Sequence, residues 1–219
     1  MKLKSLKITP LQIIVHLGAW MPLIWLLVQY FSDALGANPI QAATQRTGKT
    51  ALVLLVLSLA CTPLNSLFNF KQALKVRRAL GLYAFLYAAI HFGLFIGVDY
   101  RFNLEFLWAD IRSKAYVWVG FSAGLILLAL AITSFDWWKK QLKKNWKRLH
   151  RLVYLAGVLV IVHYAWAKKG NITQLQGDIV QPLLFGLLVL LLLALRLQAV
   201  KQLTRSLVER VRRLPRGGA

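Results

Sequence analysis

Four histidines are the residues of this sequence best suited to chemistry: His16, His91, His150 and His163. Each lies within or at the end of a long apolar stretch, where an ionisable side chain is costly and is therefore a functional candidate. Imidazole is a common iron ligand, and haem is an apolar disc that suits the interior of a helix bundle. The alternative is that each histidine only bonds to a neighbouring helix. Because those stretches contain no Asp, Glu, Lys or Arg, the four histidines together favour haem.

The spacing of the histidines places two of them at equal depth. His91 follows Ala79, the start of an apolar stretch, by 12 residues, and His163 follows His150 by 13. At about 1.5 Å per residue, both lie roughly 18–20 Å from the same boundary. On parallel helices, His91 and His163 can therefore bind one iron from opposite sides. His150 and His16 lie toward the other end and favour a second site there, although their heights differ by around 10 Å.

These histidines must be positioned by membrane-spanning helices, since a spanning helix needs roughly 20 mostly apolar residues. The sequence predicts an all-α integral membrane protein, a six-transmembrane-helix bundle in one domain over residues 1–219, with a basic cytoplasmic tail at 198–219. The first helix is expected to be retained rather than cleaved as a signal peptide. Loops are predicted at 32–49, 71–78, 99–114, 136–151 and 168–178, and no internal repeat is evident. The predicted helices are 8–32, 50–70, 79–98, 115–135, 150–167 and 179–197.

Composition and charge support a membrane protein. The chain is 58% hydrophobic yet carries a net charge of +21, and a soluble domain of 219 residues could not bury so much apolar surface. Basic residues cluster between the apolar stretches, which argues against nucleic-acid binding and, by the positive-inside rule, places both termini in the cytoplasm. The single cysteine, Cys61, excludes an internal disulfide and is interpreted as structural.

Three stretches carry a family resemblance: TGKTALVLLVLSLACTPL at 47–64, VRRALGLYAFLYAAIHF at 76–92 and WKRLHRLVYLAGVLVIVHYAW at 146–166. They resemble the MsrQ (YedZ) family of the ferric-reductase-like transmembrane superfamily. The resemblance implies a multi-pass protein of the bacterial inner membrane that binds haem b and is associated with FMN. It also implies electron supply to MsrP, a periplasmic molybdenum-dependent methionine sulfoxide reductase that repairs oxidised proteins. The matching histidines are His91, His150 and His163, with His16 also at a matching position.

The sequence departs from the histidine pattern of the wider superfamily at one position. Ferric reductases carry two histidines 13–14 residues apart on each of two helices, but Arg77 lies fourteen residues before His91. The haem of His91 and His163 is thus expected, while the inner haem lacks its usual second ligand. Arg77 and Arg78 are interpreted as snorkelling anchors, with pairing to haem propionates or flavin phosphate as the sharper alternative.

The electron donor and acceptor are expected to be separate molecules. The chain has no G-x-G-x-x-G motif, so electrons must come from membrane quinol, which the resemblance prefers, or from a cytosolic flavin reductase. A soluble acceptor is expected to dock on 99–114 and 168–178, where Tyr100, Phe102, Phe106 and Trp108 offer apolar contacts. Two other functions stay open: a stand-alone ferric or quinone reductase, and a non-redox transporter whose histidines bind a metal ion.

Overall fold

The structure, a computed structural model, describes residues 8–168, 178–197 and 202, and its regular elements there are all helices. The all-α membrane class predicted from the sequence is confirmed. A short π-helical segment, Leu94–Asp99, continues α3. The helices are α1 (Pro10–Phe31), α2 (Pro39–Phe68), α3 (Lys71–Gly93), α4 (Leu104–Ser113), α5 (Ala115–Ile132), α6 (Asp136–His150), α7 (Leu152–Ala167) and α8 (Val180–Ala194).

Four of these segments are long and apolar enough to cross a bilayer: α1, α2, α3 with its π-helical extension, and α5. α6 and α7 meet at a 40° bend and pass the same test as a pair. α8 has 15 residues, about 22 Å of helix, which is less than the roughly 30 Å hydrocarbon core. The count of six spans and the cytoplasmic termini stay predictions. The predicted tail, apart from Gln202, and most of the 168–178 loop lie outside the described residues.

The predicted loops are the part of the sequence interpretation that the structure corrects. α2 begins at Pro39 and α3 at Lys71, and the loops predicted at 99–114 and 136–151 contain α4 and α6. The physical reason is that charged residues mark where a chain leaves the hydrocarbon, whereas a helix can continue into water. The start of α2 carries a local signal, because Asn38 accepts a hydrogen bond from the backbone N–H of Gln41 and Pro39 occupies the first turn.

The core is centred on α2. Half of its apolar window is buried, against 11% for α1, which lies at the outside of the bundle. Leu52, Leu55 and Leu59 of α2 are almost fully buried and belong to one cluster with residues of α3, α7 and α8. α2 packs most extensively on α3, and α5 on α7. The bundle therefore contains two closely packed helix pairs, each of which carries one of the deep histidines.

Tyr87 of α3 joins this core to α1 at a proline. Its hydroxyl donates to the Ala19 carbonyl at 2.6 Å and accepts from the Leu23 N–H at 3.0 Å. In an ordinary α-helix those two backbone groups bond to each other, but Pro22 lies between them inside α1. The buried hydroxyl thus bridges the interrupted ladder and fixes α1 against the helix that carries His91.

Candidate functional site: a histidine pair between two helix pairs

His91 and His163 face each other across the bundle, and we call them the paired histidines. Their ring centres are 6.1 Å apart and their planes lie at 81°. The Nδ1 atom of His91 is 2.8 Å from the Thr44 carbonyl oxygen, and that of His163 is 2.8 Å from the Tyr116 carbonyl oxygen. A carbonyl only accepts, so each Nδ1 carries the proton and each Nε2 keeps a free lone pair. This is the arrangement in which histidines bind a metal.

Two glycines allow these rings to lie against neighbouring helices. A Cβ atom on Gly120 would lie 2.6 Å from Nδ1 of His163, and one on Gly48 would lie 3.0 Å from Nδ1 of His91. Each glycine is four residues after the residue whose carbonyl accepts the histidine proton, so the two share one helix face. The sequence alone predicts neither role, because a glycine within a helix is also typical of close helix packing.

The surroundings of the two histidines repeat along the chain. Adding 72 converts Thr44 to Tyr116, Gly48 to Gly120 and His91 to His163 (116 − 44 = 120 − 48 = 163 − 91 = 72). The helix pairs that carry them, α2 with α3 and α5 with α7, are also the two most closely packed. This constant offset is a local correspondence in which only the glycine and the histidine keep their residue type, and the expectation of no internal repeat along the whole chain stays a prediction. The sequence signal was a glycine 43 residues before each histidine, which hydropathy does not reveal.

The separation of the paired histidines fits one haem iron. Imidazole nitrogen binds a metal at about 2.0–2.1 Å, and the ring centre lies about 1.1 Å farther away, so two axial imidazoles have centres roughly 6.2–6.4 Å apart. The observed 6.1 Å is close to that value. Histidines on two facing helices are a common way to build a cofactor site inside a bundle. The residues present therefore fit an axially ligated haem.

His150 lies at the other end of α7 in different surroundings, which we call the His150 site. Its Nε2 is 3.2 Å from the Thr133 hydroxyl, and its ring stacks on Trp146 with centres 4.1 Å apart. Nearby, Arg77 donates to the Thr62 hydroxyl at 3.2 Å, and the Arg78 guanidinium lies over the Phe135 ring. The predicted propionate or phosphate partners are thus held by neutral groups, so neither charge is compensated by these contacts.

Arg196, beyond the end of α8, is a residue of this region that sequence reasoning missed. It donates to the Tyr154 hydroxyl and to the Leu59 carbonyl, both at 2.6 Å, while its buried Nε has no hydrogen-bond partner in the described structure. The ion pairs found between described residues are formed by Lys114 and Lys168, and neither Arg77 nor Arg196 takes part in them. Arg77 and Arg196 therefore form a partly buried cationic region that is suited to an anionic ligand. The charge pattern does not single out Arg196, because a basic residue directly after an apolar helix is usually a membrane-interface anchor.

His16 is held by α3. Its Nδ1 lies 2.8 Å from the hydroxyl of Tyr83, and the two rings meet edge to face with centres 5.6 Å apart. The structure describes no hydrogen bond between His16 and His150, whose contacts are with Thr133 and Trp146. Their predicted partnership at an inner site stays a prediction.

The family model for the ferric reductase like transmembrane component matches residues 47–161, more than half of the chain. Similar proteins named "Protein-methionine-sulfoxide reductase heme-binding subunit MsrQ" extend this match to most of the chain. That of Xanthomonas campestris pv. campestris (strain 8004) is 39% identical over 196 residues, 86% of this chain and 87% of its own. The chain belongs to the MsrQ family.

Two further MsrQ relatives agree. The protein of Herminiimonas arsenicoxydans is 39% identical over 191 residues, which cover 87% of this chain and 85% of the relative. That of Xanthomonas axonopodis pv. citri (strain 306) is 41% identical over 167 residues, covering 74% and 77%. The predicted membership of the MsrQ family is confirmed. These relatives are named as haem-binding subunits, which agrees with the geometry of the paired histidines.

Proposed function

We propose that the chain is a haem b subunit that passes electrons across the bacterial inner membrane to the periplasmic methionine sulfoxide reductase MsrP. The observation that carries this proposal is the histidine pair: ring centres 6.1 Å apart, each Nδ1 bonded to a carbonyl, and each Nε2 left for iron. When bound, haem would act as a reversible one-electron carrier. In this assignment the chain is the electron-transfer subunit, and the partner carries out the catalysis.

Each protein group has a defined task at the paired histidines. His91 and His163 would hold the haem iron through their Nε2 atoms, and the carbonyls of Thr44 and Tyr116 fix the tautomer and ring orientation. Gly48 and Gly120 leave the space that the rings need. The long helices around them exclude water, which lowers the local dielectric constant and helps to set the reduction potential.

The His150 site is proposed as a second redox site toward the inner side of the membrane, holding a second haem or FMN. His150 has an aromatic stacking partner, and Arg77 and Arg196 offer positive charge to propionate or phosphate groups. Arg78 offers a further charge from the same end of α3. The donor in this proposal is membrane quinol or a cytosolic flavin reductase. The prediction that His16 is the partner of His150 requires that His16→Ala lose cofactor.

The docking surface for the acceptor is proposed around α4. Phe102, Phe106 and Trp108 are 72%, 69% and 51% exposed, so they are available to a soluble partner, whereas the Tyr100 hydroxyl donates to Asp110. An interfacial belt of aromatic residues is the alternative explanation for each of them. The second part of the predicted surface, 169–177, lies outside the described residues.

The decisive experiment is optical. A reducible Soret band from the purified protein supports haem, and His91→Ala and His163→Ala should each abolish the same low-spin component. An unchanged spectrum in either variant contradicts the pairing, and a colourless protein would favour the transporter alternative. Reoxidation of the reduced haem should accelerate only with MsrP and methionine sulfoxide together. Acceleration by ferric iron or quinone alone would instead favour a stand-alone reductase.

A further inference from the structure

His16 is a polar side chain on a helix whose other outward residues are apolar. Ile13, Leu17 and Met21 are 52%, 65% and 67% exposed, and His16 is exposed among them. In a membrane these positions face lipid, where an imidazole is costly to keep unless it has a partner. The uncharged apolar stretch begins at Ile8, so His16 lies eight residues, roughly 12 Å, beyond its start, which places it within the hydrocarbon rather than at the headgroups.

The contacts of His16 satisfy one ring nitrogen and leave the other open. Nδ1 bonds to Tyr83, and Trp20 meets the Tyr83 ring edge to face with centres 6.1 Å apart. No described residue bonds to Nε2 of His16. The result is a free hydrogen-bonding nitrogen next to two aromatic rings on a lipid-facing surface, which we call the His16 site.

A line of side chains connects the His16 site with the paired histidines. Tyr83, Tyr87 and His91 are spaced by four residues on α3 and so share one helix face. Eight residues separate Tyr83 from His91, about 12 Å along the axis. Tyr87, between them, bonds to α1 on either side of Pro22. The His16 site is therefore fixed rigidly at a short distance from the proposed haem.

We propose that His16, Tyr83 and Trp20 bind the ring of a lipid-soluble quinol or quinone, an assignment that rests on the proposed electron-transfer function. Phospholipid phosphates lie outside the hydrocarbon, whereas a quinol carries its polar groups on a ring that enters it. The His16–Tyr83 pair suits both redox states. With Nδ1–H donating to Tyr83, Nε2 accepts from a quinol hydroxyl; with Tyr83 donating to Nδ1, Nε2–H donates to a quinone carbonyl.

The electron balance is simple. Quinol oxidation to quinone breaks two O–H bonds and releases two protons and two electrons. His16 Nε2 is placed to accept one of the protons, and the other leaves to water at the membrane surface. The two electrons would pass one at a time to the haem that His91 and His163 would hold. The aromatic rings of Trp20 and Tyr83 supply apolar contact for the ring and orient its hydroxyl toward the imidazole.

The test measures binding separately from electron transfer. The purified full-length protein, in phosphatidylcholine nanodiscs, is titrated calorimetrically with a benzoquinone that carries a short alkyl tail. His16→Ala should bind at least tenfold more weakly and Tyr83→Phe severalfold more weakly. Leu17→Ala changes the next residue on α1, which is also exposed, and is the matched control that should bind like the wild type.

Haem content and the dithionite-reduced spectrum are recorded for every variant. Wild-type affinity in His16→Ala, or no quinone binding by the wild type, would overturn the proposal while leaving the haem assignment intact. Loss of a haem component in His16→Ala would also overturn it, because His16 would then be a ligand. Quinone binding by a protein without haem would support the site and refute the proposed function instead. Displacement of the quinone by phosphatidylglycerol alone would assign the site to phospholipid and refute it.

Discussion

Replacing Gly120 with alanine should weaken haem binding without harming the fold. The added Cβ would lie 2.6 Å from Nδ1 of His163, whereas ordinary van der Waals contact begins near 3.4 Å, so the ring must retreat by about 0.8 Å. That movement breaks the 2.8 Å hydrogen bond to the Tyr116 carbonyl. Loss of such a support for a metal ligand typically costs about 10–100-fold in affinity. We expect Gly120→Ala to fall within that range.

The matched control is Gly124→Ala, one helical turn along α5, where an added Cβ meets nothing within 4 Å. Both variants gain the same intrinsic helix propensity, about 1 kcal/mol, so any difference between them reports on His163. Gly48→Ala should have a smaller effect, because its contact with His91 is 3.0 Å. The assay is titration of apoprotein with haem, followed by Soret absorbance. Equal affinities for Gly120→Ala and Gly124→Ala would refute the steric reasoning.

Three further predictions concern other parts of the bundle. Tyr87→Phe should lower the free energy of unfolding by about 1–3 kcal/mol, because it leaves buried polar groups of α1 without partners; thermal unfolding in detergent is the measurement, and Tyr30→Phe, at an exposed tyrosine, is the control. Arg196→Gln should reduce retention of an anionic cofactor at the His150 site but leave the spectrum of the paired histidines unchanged, whereas exposed Arg151→Gln should alter neither. Hydrogen bonds from Lys114 and Tyr100 lower the pKa of Asp110, so the stabilisation that this carboxylate gives to α4 is present above its ordinary pKa of 3.8. That stabilisation is lost as the pH falls through the lowered value. Burial, with the bond to Asp110, raises the pKa of Tyr100 to about 12, so the stabilisation by the neutral Tyr100 hydroxyl is lost as the pH rises between about 10 and 12. Amide exchange in α4 across both ranges tests this, and an unchanged profile in Asp110→Asn would contradict it.

Hydropathy located the helices of the bundle because lipid imposes a long uninterrupted apolar stretch on each span. It gave α1 and α5 close to their observed bounds, but it placed the start of α2 at residue 50 instead of Pro39. Residues 39–49 are mostly polar, so hydropathy does not predict that they are helical. Their helix is specified by Asn38 and Pro39 and by packing, which a count of charged residues does not detect.

The paired histidines could be predicted because equal depth depends only on the rise per residue. Their supporting groups could not. Thr44 and Tyr116 act through backbone carbonyls, which any residue supplies, and Gly48 and Gly120 act by lacking a side chain. The partner of His16 depends on the azimuth of α1 relative to α3, which the sequence does not specify.

The offset of 72 residues between the two halves of the site has a consequence for how independently they can change. Two helix pairs that each give one histidine, one carbonyl and one glycine are what a twofold symmetric dimer of a shorter chain would bring together. In such a dimer every substitution occurs twice, so the two faces of a cofactor on the axis must stay alike. Joining the halves in one chain removes that restriction. The same offset relates His150 to Arg78 (150 − 72 = 78), so the two helix pairs, alike around the paired histidines, differ at this end, where a histidine corresponds to a cation.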